Sequence, residues 1–287
     1  MKVAVMTDTN SSISVETGKR DGIFVLPMPI IIEDKTFLEG EGISPMDYYR
    51  ELEKGTDSST SQPAPDSFIS MWDSIFKEGY DEIVYIPMSS GLSGSCETAE
   101  SFAKSYDGRV QVVDNHRISV TLMDSVYDAL KLAEEGIDAA GIKAELEKRA
   151  YDQSIYITVT TLKRLIKSGR VTPAGAAIAS ALNLKPILQI QGEKLDAFAK
   201  VRGMKKAEKV MIDSIRADIE NRFKDVPEEK LRVRVAGTLT DREEADRWRQ
   251  QVQTAFPEFE VDYYDLPCSI ASHVGHNAVA TAVNAVI

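Results

Sequence analysis

Three short apolar runs in the first half of the chain each end abruptly in a polar or glycine-containing loop. The runs read KVAVMTD, DEIVYIPMSSG and RVQVVDNH, and the stretches between them carry apolar residues at helical spacing. Strands that alternate with helices in this way are typical of an open parallel sheet covered by helices. Because ligands of such sheets bind beyond the carboxyl ends of the strands, TDTNSS and SSGLSGS are the first candidate binding loops.

The order of the elements changes near Tyr151. After it the pattern predicts a strand, two short helices, two strands around the glycine-containing turn of ILQIQGEKLDAFAKV, a long helix from Met204, and further strands and a helix. Two strands joined by a short turn are antiparallel. We therefore predict an α/β protein with a parallel-sheet α/β domain in residues 1–151 and an α+β domain in residues 152–287, with a ligand between them.

Composition narrows the class of ligand. The 287 residues carry a formal net charge of -11, which argues against nucleic acid as a partner. Cys96 and Cys268 are far apart and lack metal-site spacing, so we expect no disulfide framework and no zinc site. The start of the chain lacks a long apolar region, and no stretch reaches the roughly 18 to 20 apolar residues of a membrane span. These features predict a cytoplasmic protein without an integral membrane segment.

The loop SSGLSGS permits three interpretations. A nucleophile elbow needs glycine two residues before and two residues after the serine, but Gly94 directly follows Ser93. A phosphate-binding P-loop needs a lysine after the glycines, and none is present. The third interpretation is a set of hydroxyl and backbone N–H donors that binds an anion, although Ser93 or Ser95 could equally well serve only to cap the following helix.

Three other segments carry candidate groups. Thr60, Ser61 and Gln62 precede two prolines that should hold their loop extended, and Arg170 follows a glycine after a short basic helix. His273 and His276 could ligate a metal, but no further ligand lies near them in the sequence, so we expect no metal site. Each of these groups could instead be an ordinary solvated side chain.

Taken together, these segments resemble a known family. TSQP, SSGLSGS, LKRLIKSGRV, LNLKPIL and KVRGMKKA occur in an order and spacing similar to those of the DegV family of bacterial fatty-acid-binding proteins, over essentially the whole chain. The resemblance implies an α/β first domain, an α+β second domain and a long-chain fatty acid between them. Members of the family include the B subunits of fatty acid kinase, which present the acid to a separate ATP-binding A subunit.

The resemblance also implies roles for single residues. The carboxylate-binding groups fall on Thr60 or Ser61, on Ser93 with Gly94, on Arg170 and on His273. Arg202, in KVRG, is implied to serve the partner kinase or phosphate transfer. The C-terminal segment departs from the family pattern, because His276 and Asn277 stand where a Pro-Gly pair is usual. Only His273, and not His276, therefore matches the family position.

The function predicted from the sequence is lipid binding without catalysis by the chain alone. The protein should hold a long-chain fatty acid as its only ligand, with no cofactor and no metal, and present the carboxylate to a kinase A subunit for acyl-phosphate formation. Apolar stretches such as LPMPIII and AGAAIASALNL could contact the tail. Two alternatives remain open: a serine esterase or thioesterase that uses Ser93 with His273, and a non-catalytic lipid sensor.

Overall fold

The computed structural model describes residues 2–177 and 184–287. Its strands, numbered β1 to β13 in chain order, are Val3–Asp8, Phe24–Leu26, Pro29–Ile32, Lys35–Leu38, Ser58–Thr60, Glu82–Ile86, Val110–Val112, Gln153–Thr158, Leu184–Ile190, Asp196–Arg202, Leu231–Gly237, Tyr263–Asp265 and Val279–Ala285. Its helices, numbered α1 to α11, are Val15–Asp21, Pro45–Glu53, Pro65–Lys77, Ser95–Ala103, Ser119–Glu134, Ala139–Lys148, Lys163–Ser168, Pro173–Ala177, Met204–Asn221, Arg242–Ala255 and Cys268–Val274. No helix in these described ranges is both long and apolar enough to cross a membrane.

The first half forms the predicted parallel sheet. Its four strands lie in the order β2-β1-β6-β7, and each neighbouring pair is parallel. β1 and β6 are almost wholly buried, which fits their continuous apolar sequences. α3 and α4 cover one face, where Trp72 is fully buried, and α5 and α6 pack against the other. The carboxyl ends of β1 and β6 lead into TDTNSS and SSGLSGS, as the sequence predicts.

A second, small sheet in this half was not predicted. β3 pairs antiparallel with both β4 and β5, in the order β4-β3-β5. The sequence analysis treated LPMPIII only as apolar surface for a ligand, whereas Pro29–Ile32 is the central strand of this sheet. The pairing of Ile30 with Thr60 fixes the position of the TSQP loop, which directly follows β5. This sheet therefore sets the position of one candidate binding segment.

The second half contains a six-stranded mixed sheet in the order β10-β9-β8-β13-β11-β12. β9 and β10 form the predicted antiparallel pair, and among the described strands of this sheet β11 and β12 are the parallel pair. α9 and α10 cover one face of the sheet, and Trp248 is fully buried there. The α/β plus α+β fold class is thus confirmed. The predicted boundary at Tyr151 falls between α6 and β8, and its exact position stays a prediction.

Candidate functional site

A cavity lies between the two halves of the protein. Its walls are mostly apolar: one wall is the free face of the six-stranded sheet, and the other is made by the loops after β1, β6 and β7 together with α11. The apolar side chains that line it are Met28, Met88, Leu92, Ile118, Val120, Ile155, Ile157, Leu165, Ile190, Leu195, Ala236, Leu266, Ile270, Val274, Ala280 and Ala282. Such a cavity suits a long apolar ligand.

The two stretches predicted to contact a lipid tail contribute unequally to these walls. Of LPMPIII, Met28 lines the cavity, while the strand that follows belongs to the small sheet. Most of AGAAIASALNL, residues 178–183, lies outside the described residues. The prediction for that stretch is therefore not tested.

Five of the predicted site residues meet at one place in the cavity wall. Thr60, Ser61, Ser93, Arg170 and His273 all line the cavity, and we call this cluster the polar end. Four different segments supply them: the end of β5, the loop before α4, the loop after α7, and α11. The Thr60 hydroxyl and His273 Nε2 lie 2.9 Å apart although 213 residues separate them in sequence. Folding thus brings together groups that the sequence alone left in separate motifs.

Ser93 makes hydrogen bonds at the start of α4 and also lines the cavity. Its backbone N–H donates to Ser89 O at 3.2 Å, and its hydroxyl oxygen accepts from Ser95 N at 3.2 Å, at the start of α4. The N-cap residue of α4 is Gly94, without a side-chain cap, so Ser93 only accepts from the first residue of the helix, and Ser93 also lines the cavity. Gly94 is not among the described cavity-lining residues. A Cβ at Gly94 would lie 3.4 Å from Gln62 Oε1, which is an ordinary van der Waals contact.

Arg170 is held at the polar end by backbone oxygens. Its Nε donates to Leu92 O at 3.2 Å, and its Nη1 donates to Ser168 O. Arg170 also borders a second depression, which continues outward from the polar end and includes Lys163, Arg164 and Lys167. Since guanidinium groups bind carboxylates and phosphates through paired donors, Arg170 supplies the fixed positive charge of the polar end.

The His273 imidazole is neutral near pH 7. Burial, and then the positive charges of Arg170 and Arg164, lower the pKa of His273 from 6.5 to about 4. A neutral imidazole that contacts Thr60 can donate or accept one hydrogen bond, and it adds no charge to the polar end. Burial also lowers the pKa of His276, but His276 is not among the described residues that line the cavity. Within residues 2–177 and 184–287 no group of three potential metal ligands is present.

A buried polar network supports α11 from behind the cavity wall. The Glu39 carboxylate accepts hydrogen bonds from the Thr9 hydroxyl at 2.6 Å and the Ser269 hydroxyl at 2.8 Å. Burial raises the pKa of Glu39, and it also raises the pKa of the neighbouring Asp8 to about 6. Ser269 lines the cavity from α11, so this network fixes the helix that carries His273. Glu39 was not predicted as a site residue, because nothing in its local sequence marks it as buried.

Gly91, in the loop SSGLSGS, lies where this loop packs against the second half of the protein. A Cβ at Gly91 would lie 2.4 Å from Glu193 Oε2 and 3.1 Å from Glu193 Cα, and the nearby Ser89 hydroxyl donates to Gly192 O at 2.9 Å. The loop of the first half therefore packs directly on the β9–β10 turn of the second half. Small side chains are required at this contact because the backbones approach closely.

We expect Gly91→Ala to destabilise the protein by about 1–3 kcal/mol, as overpacking typically does. Urea unfolding measures the effect, and Gly94→Ala is the matched control because its Cβ meets only an ordinary contact at 3.4 Å. Equal stability of the Gly91→Ala protein and the wild type would show that the β9–β10 turn moves freely away from the loop.

Arg202 does not belong to the polar end. It is exposed at the end of β10, paired in register with Leu184, and it is not among the described cavity-lining residues. This position leaves Arg202 available to a partner and is consistent with its predicted separation from the carboxylate-binding residues. The role of Arg202 toward a partner kinase or in phosphate transfer stays a prediction.

One charged pair on the cavity wall was missed by the sequence analysis. Arg234 on β11 lines the cavity and forms an ion pair with Asp124 of α5, whose side chain is 4% exposed. The alternation in LRVRVAG resembles a strand with one exposed polar face. That face also carries Ala236, and this apolar residue was the available signal that the face is covered.

The sequence of the chain matches a known family over almost its whole length. The family described as "Uncharacterised protein, DegV family" matches residues 2–285. A DegV domain-containing protein of Listeria innocua is 32% identical over 282 residues, which cover 97% of this chain and 96% of that protein.

Solved structures give the same family. A DegV family protein from Thermus thermophilus, described by its fatty acid binding, superposes with a TM-score of 0.87 at 28% identity and covers 100% of both chains. DegV from Bacillus subtilis, described as a fatty acid binding protein, has a TM-score of 0.84 at 26% identity, with 99% of each chain covered. The resemblance noted in the sequence is thereby confirmed, and this chain belongs to the DegV family.

Proposed function

We propose that the protein binds one long-chain fatty acid, with the tail in the cavity and the carboxylate at the polar end. The proposal rests on the residues that line this one cavity. Its walls are mostly apolar, and its polar end combines hydroxyls, a neutral imidazole and the Arg170 guanidinium. The DegV structures described as fatty acid binding support the same ligand class.

Energetics explains why both parts of the cavity are needed. Burial of about 15 methylenes at about 0.8 kcal/mol each gives an upper value near 12 kcal/mol, before the costs of ordering the ligand. An ionised carboxylate, in contrast, is strongly disfavoured away from water unless several donors surround it. In this proposal Arg170, Ser93 and Thr60, which line the polar end, supply those donors. Tail burial thus provides most of the affinity, and the polar end fixes the orientation.

We further propose that the bound carboxylate is presented to a separate ATP-dependent kinase subunit, which converts it to an acyl-phosphate. Two features support this step. The polar end continues outward into the depression lined by Lys163, Arg164 and Lys167, and this basic surface suits an incoming phosphate. The chain itself offers no P-loop sequence that would bind ATP. Cytoplasmic location is part of this proposal, since the kinase reaction requires ATP.

The contacts of His273 favour this binding role over the serine esterase alternative. His273 Nε2 contacts the Thr60 hydroxyl, and no hydrogen bond between His273 and Ser93 occurs within the described part of the chain. A general base must reach the nucleophile that it activates. The lipid sensor alternative shares the same binding site and differs only in the absence of a kinase partner.

Ser93→Ala separates the binding and esterase roles. We expect the substitution to weaken fatty-acid binding by about tenfold or more, because a hydroxyl donor to a charged group contributes about 1.5–3 kcal/mol. The wild type should show no turnover of p-nitrophenyl esters. Turnover in the wild type that Ser93→Ala abolishes would support the esterase role instead.

Arg202→Ala tests presentation apart from binding. Because Arg202 is exposed and outside the cavity wall, we expect its fatty-acid affinity to equal that of the wild type. Acyl-phosphate formation with a fatty acid kinase A subunit and ATP should fall, as it would when a cationic contact to a partner is lost. Lys200→Ala, on the same strand, is the control. Unchanged phosphorylation kinetics would remove Arg202 from the docking surface.

Mass spectrometry of an organic extract of the purified protein tests the proposed function itself. The expected result is a long-chain fatty acid close to one equivalent per chain, which returns when delipidated protein is incubated with the acid. Absence of any lipid together with no uptake of added palmitate would defeat the proposal.

A further inference from the structure

The cavity wall carries a charged side chain away from the polar end. Arg234 lies on β11, whereas Arg170 approaches the β9–β10 turn through its backbone hydrogen bond with Leu195. β8 and β13 separate β9 from β11 in the sheet. Three inter-strand spacings of about 4.8 Å therefore lie between β9, next to Arg170, and β11, which carries Arg234, roughly 14 Å in all. A ligand whose carboxylate contacts Arg170 reaches Arg234 with its tail and not with its head.

The position of Arg234 along its strand supports the same conclusion. α11, which carries His273, precedes β13 and lies beyond the sheet edge where Gly237 pairs with Val279. Arg234 is three residues inward from that edge, about 10 Å at the rise of a β-strand. It lies in one row with Ala282, Ile155 and Ile190, deeper than the row of Ala236, Ala280 and Ile157.

The hydrogen bonds of Arg234 do not use all of its N–H donors. Nε and Nη2 bond to the Asp124 carboxylate at 2.7–3.0 Å, and Nη1 donates to the Tyr264 hydroxyl at 3.0 Å. A guanidinium has five N–H donors, so these contacts engage three and leave two. The Arg234 side chain is 16% exposed, while that of Asp124 is 4% exposed. Arg234 therefore keeps accessible surface, and it is one of the residues that line the cavity.

The next row of the sheet is polar as well. Gln153 and Asn284 pair in register, lie on the cavity face of the sheet, and are fully buried. Both polar atoms of each side chain lack a hydrogen-bond partner within residues 2–177 and 184–287. Arg117 is also buried; it donates to Arg149 O at 2.7 Å, and its Nε and Nη1 have no partner in the same ranges. The row of the sheet beyond Arg234 is thus polar, and neither Gln153 nor Asn284 is among the described cavity-lining residues.

An ordinary acyl tail fits this end poorly. Methylene groups against a desolvated guanidinium leave charged N–H donors without acceptors, which is costly in a buried site. A hydroxyl oxygen on the tail would accept such a bond. We infer that the preferred ligand is a long-chain fatty acid that carries a hydroxyl group in the distal half of its chain, with Arg234 as the residue that selects it. This inference rests on the proposed function and names its ligand class more narrowly.

Calorimetric titration of the delipidated protein with matched ligands tests the inference. The pairs are stearate with 12-hydroxystearate, and palmitate with 16-hydroxypalmitate. Selectivity is the Kd of the plain acid divided by that of its hydroxy acid. The wild type should bind at least one hydroxy acid more tightly than its matched plain acid, because Arg234 compensates the lost hydration of the hydroxyl. A protein that binds stearate but binds neither hydroxy acid more tightly than its plain acid would overturn the inference.

Removal of the charged pair should abolish the selectivity. Arg234→Met alone would leave a buried unpaired carboxylate, so the variant of choice is the double substitution Asp124→Leu with Arg234→Met, which replaces both charges by apolar groups. Its selectivity should fall by about tenfold or more, while stearate binding persists. Arg232→Met, on the same strand and outside the described cavity lining, should keep the wild-type selectivity. Unchanged selectivity in a folded double variant would overturn the inference.

A second double variant tests the inference if the apolar double variant does not fold. Asp124→Asn with Arg234→Gln retains polar side chains at both positions but removes both charges, and we expect its selectivity to fall by about threefold or more because charge-assisted hydrogen bonds are roughly twice as strong. No decrease would count against the inference. If the wild type binds neither stearate nor palmitate, the proposed function is refuted. This outcome differs from a loss of selectivity in a protein that still binds the plain acids.

Discussion

Arg170→Ala should raise the Kd for palmitate by about 10- to 150-fold. Arg170 is the cation that lines the polar end, and a hydrogen bond to a charged group contributes about 1.5–3 kcal/mol. The neutral His273 cannot replace the lost charge, because its pKa lies near 4. Fluorescent fatty-acid displacement at pH 7 measures the effect.

The control for Arg170→Ala is Lys167→Ala. Lys167 is a cation of the adjacent depression, but its side chain is 70% exposed and pairs with Asp57 at 2.9 Å. We expect Lys167→Ala to leave the affinity unchanged, and Arg170→Lys to restore only part of it, because lysine lacks the paired donors. Equal weakening by Arg170→Ala and Lys167→Ala would indicate a general electrostatic effect and not a carboxylate contact.

Acidification should destabilise the wild type relative to His273→Asn. The pKa of His273 is lowered in the folded state from 6.5 to about 4, so the unfolded chain binds a proton more readily between these pH values. The stability that neutral His273 contributes is therefore complete above pH 6.5 and is lost progressively as the pH falls toward 4. The total difference is on the order of 3 kcal/mol.

Urea unfolding at pH 7, 5.5 and 4.5 measures the His273 effect. The groups around the imidazole are Arg170, Arg164 and the Thr60 hydroxyl. Asp8 and Asp128 have pKa values raised by burial to about 6, so they favour the folded state on acidification. Comparison with His273→Asn cancels their contribution. A stability difference that does not vary with pH would contradict the low pKa of His273.

The two histidines should also differ in ligand binding. His273→Asn removes a group of the polar end, whereas His276→Asn changes a residue outside the described cavity lining. We expect only His273→Asn to weaken palmitate binding. Equal loss in both variants would show that the HVGHN segment meets the carboxylate differently from the present assignment.

The sequence predicted the fold where patterns are local. The strand-helix alternation of the first half and the β9–β10 hairpin follow from residue periodicity and a glycine-containing turn, and both are present. The small sheet around β3 was missed because Pro29–Ile32 is a short apolar run without alternation, and its partners lie beyond two different loops. Long-range pairing of this kind leaves no local signal.

The candidate site shows the same limit. Motif resemblance selected Thr60, Ser93, Arg170 and His273, but only the structure shows that four separate segments bring them to one cavity. Arg234 was missed because an arginine in an alternating strand resembles a solvated side chain, and its partner Asp124 is 110 residues away. A buried ion pair is defined by tertiary packing, which periodicity does not encode.

A crystal structure of the delipidated protein bound to palmitate tests the central claim most directly. The account predicts one acyl chain in the cavity, with its carboxylate within hydrogen-bond distance of Arg170 and of the Ser93 or Thr60 hydroxyl, and its methyl end on the β11 side near Arg234. Palmitate outside the cavity, or a reversed chain with its carboxylate on Arg234, would contradict it.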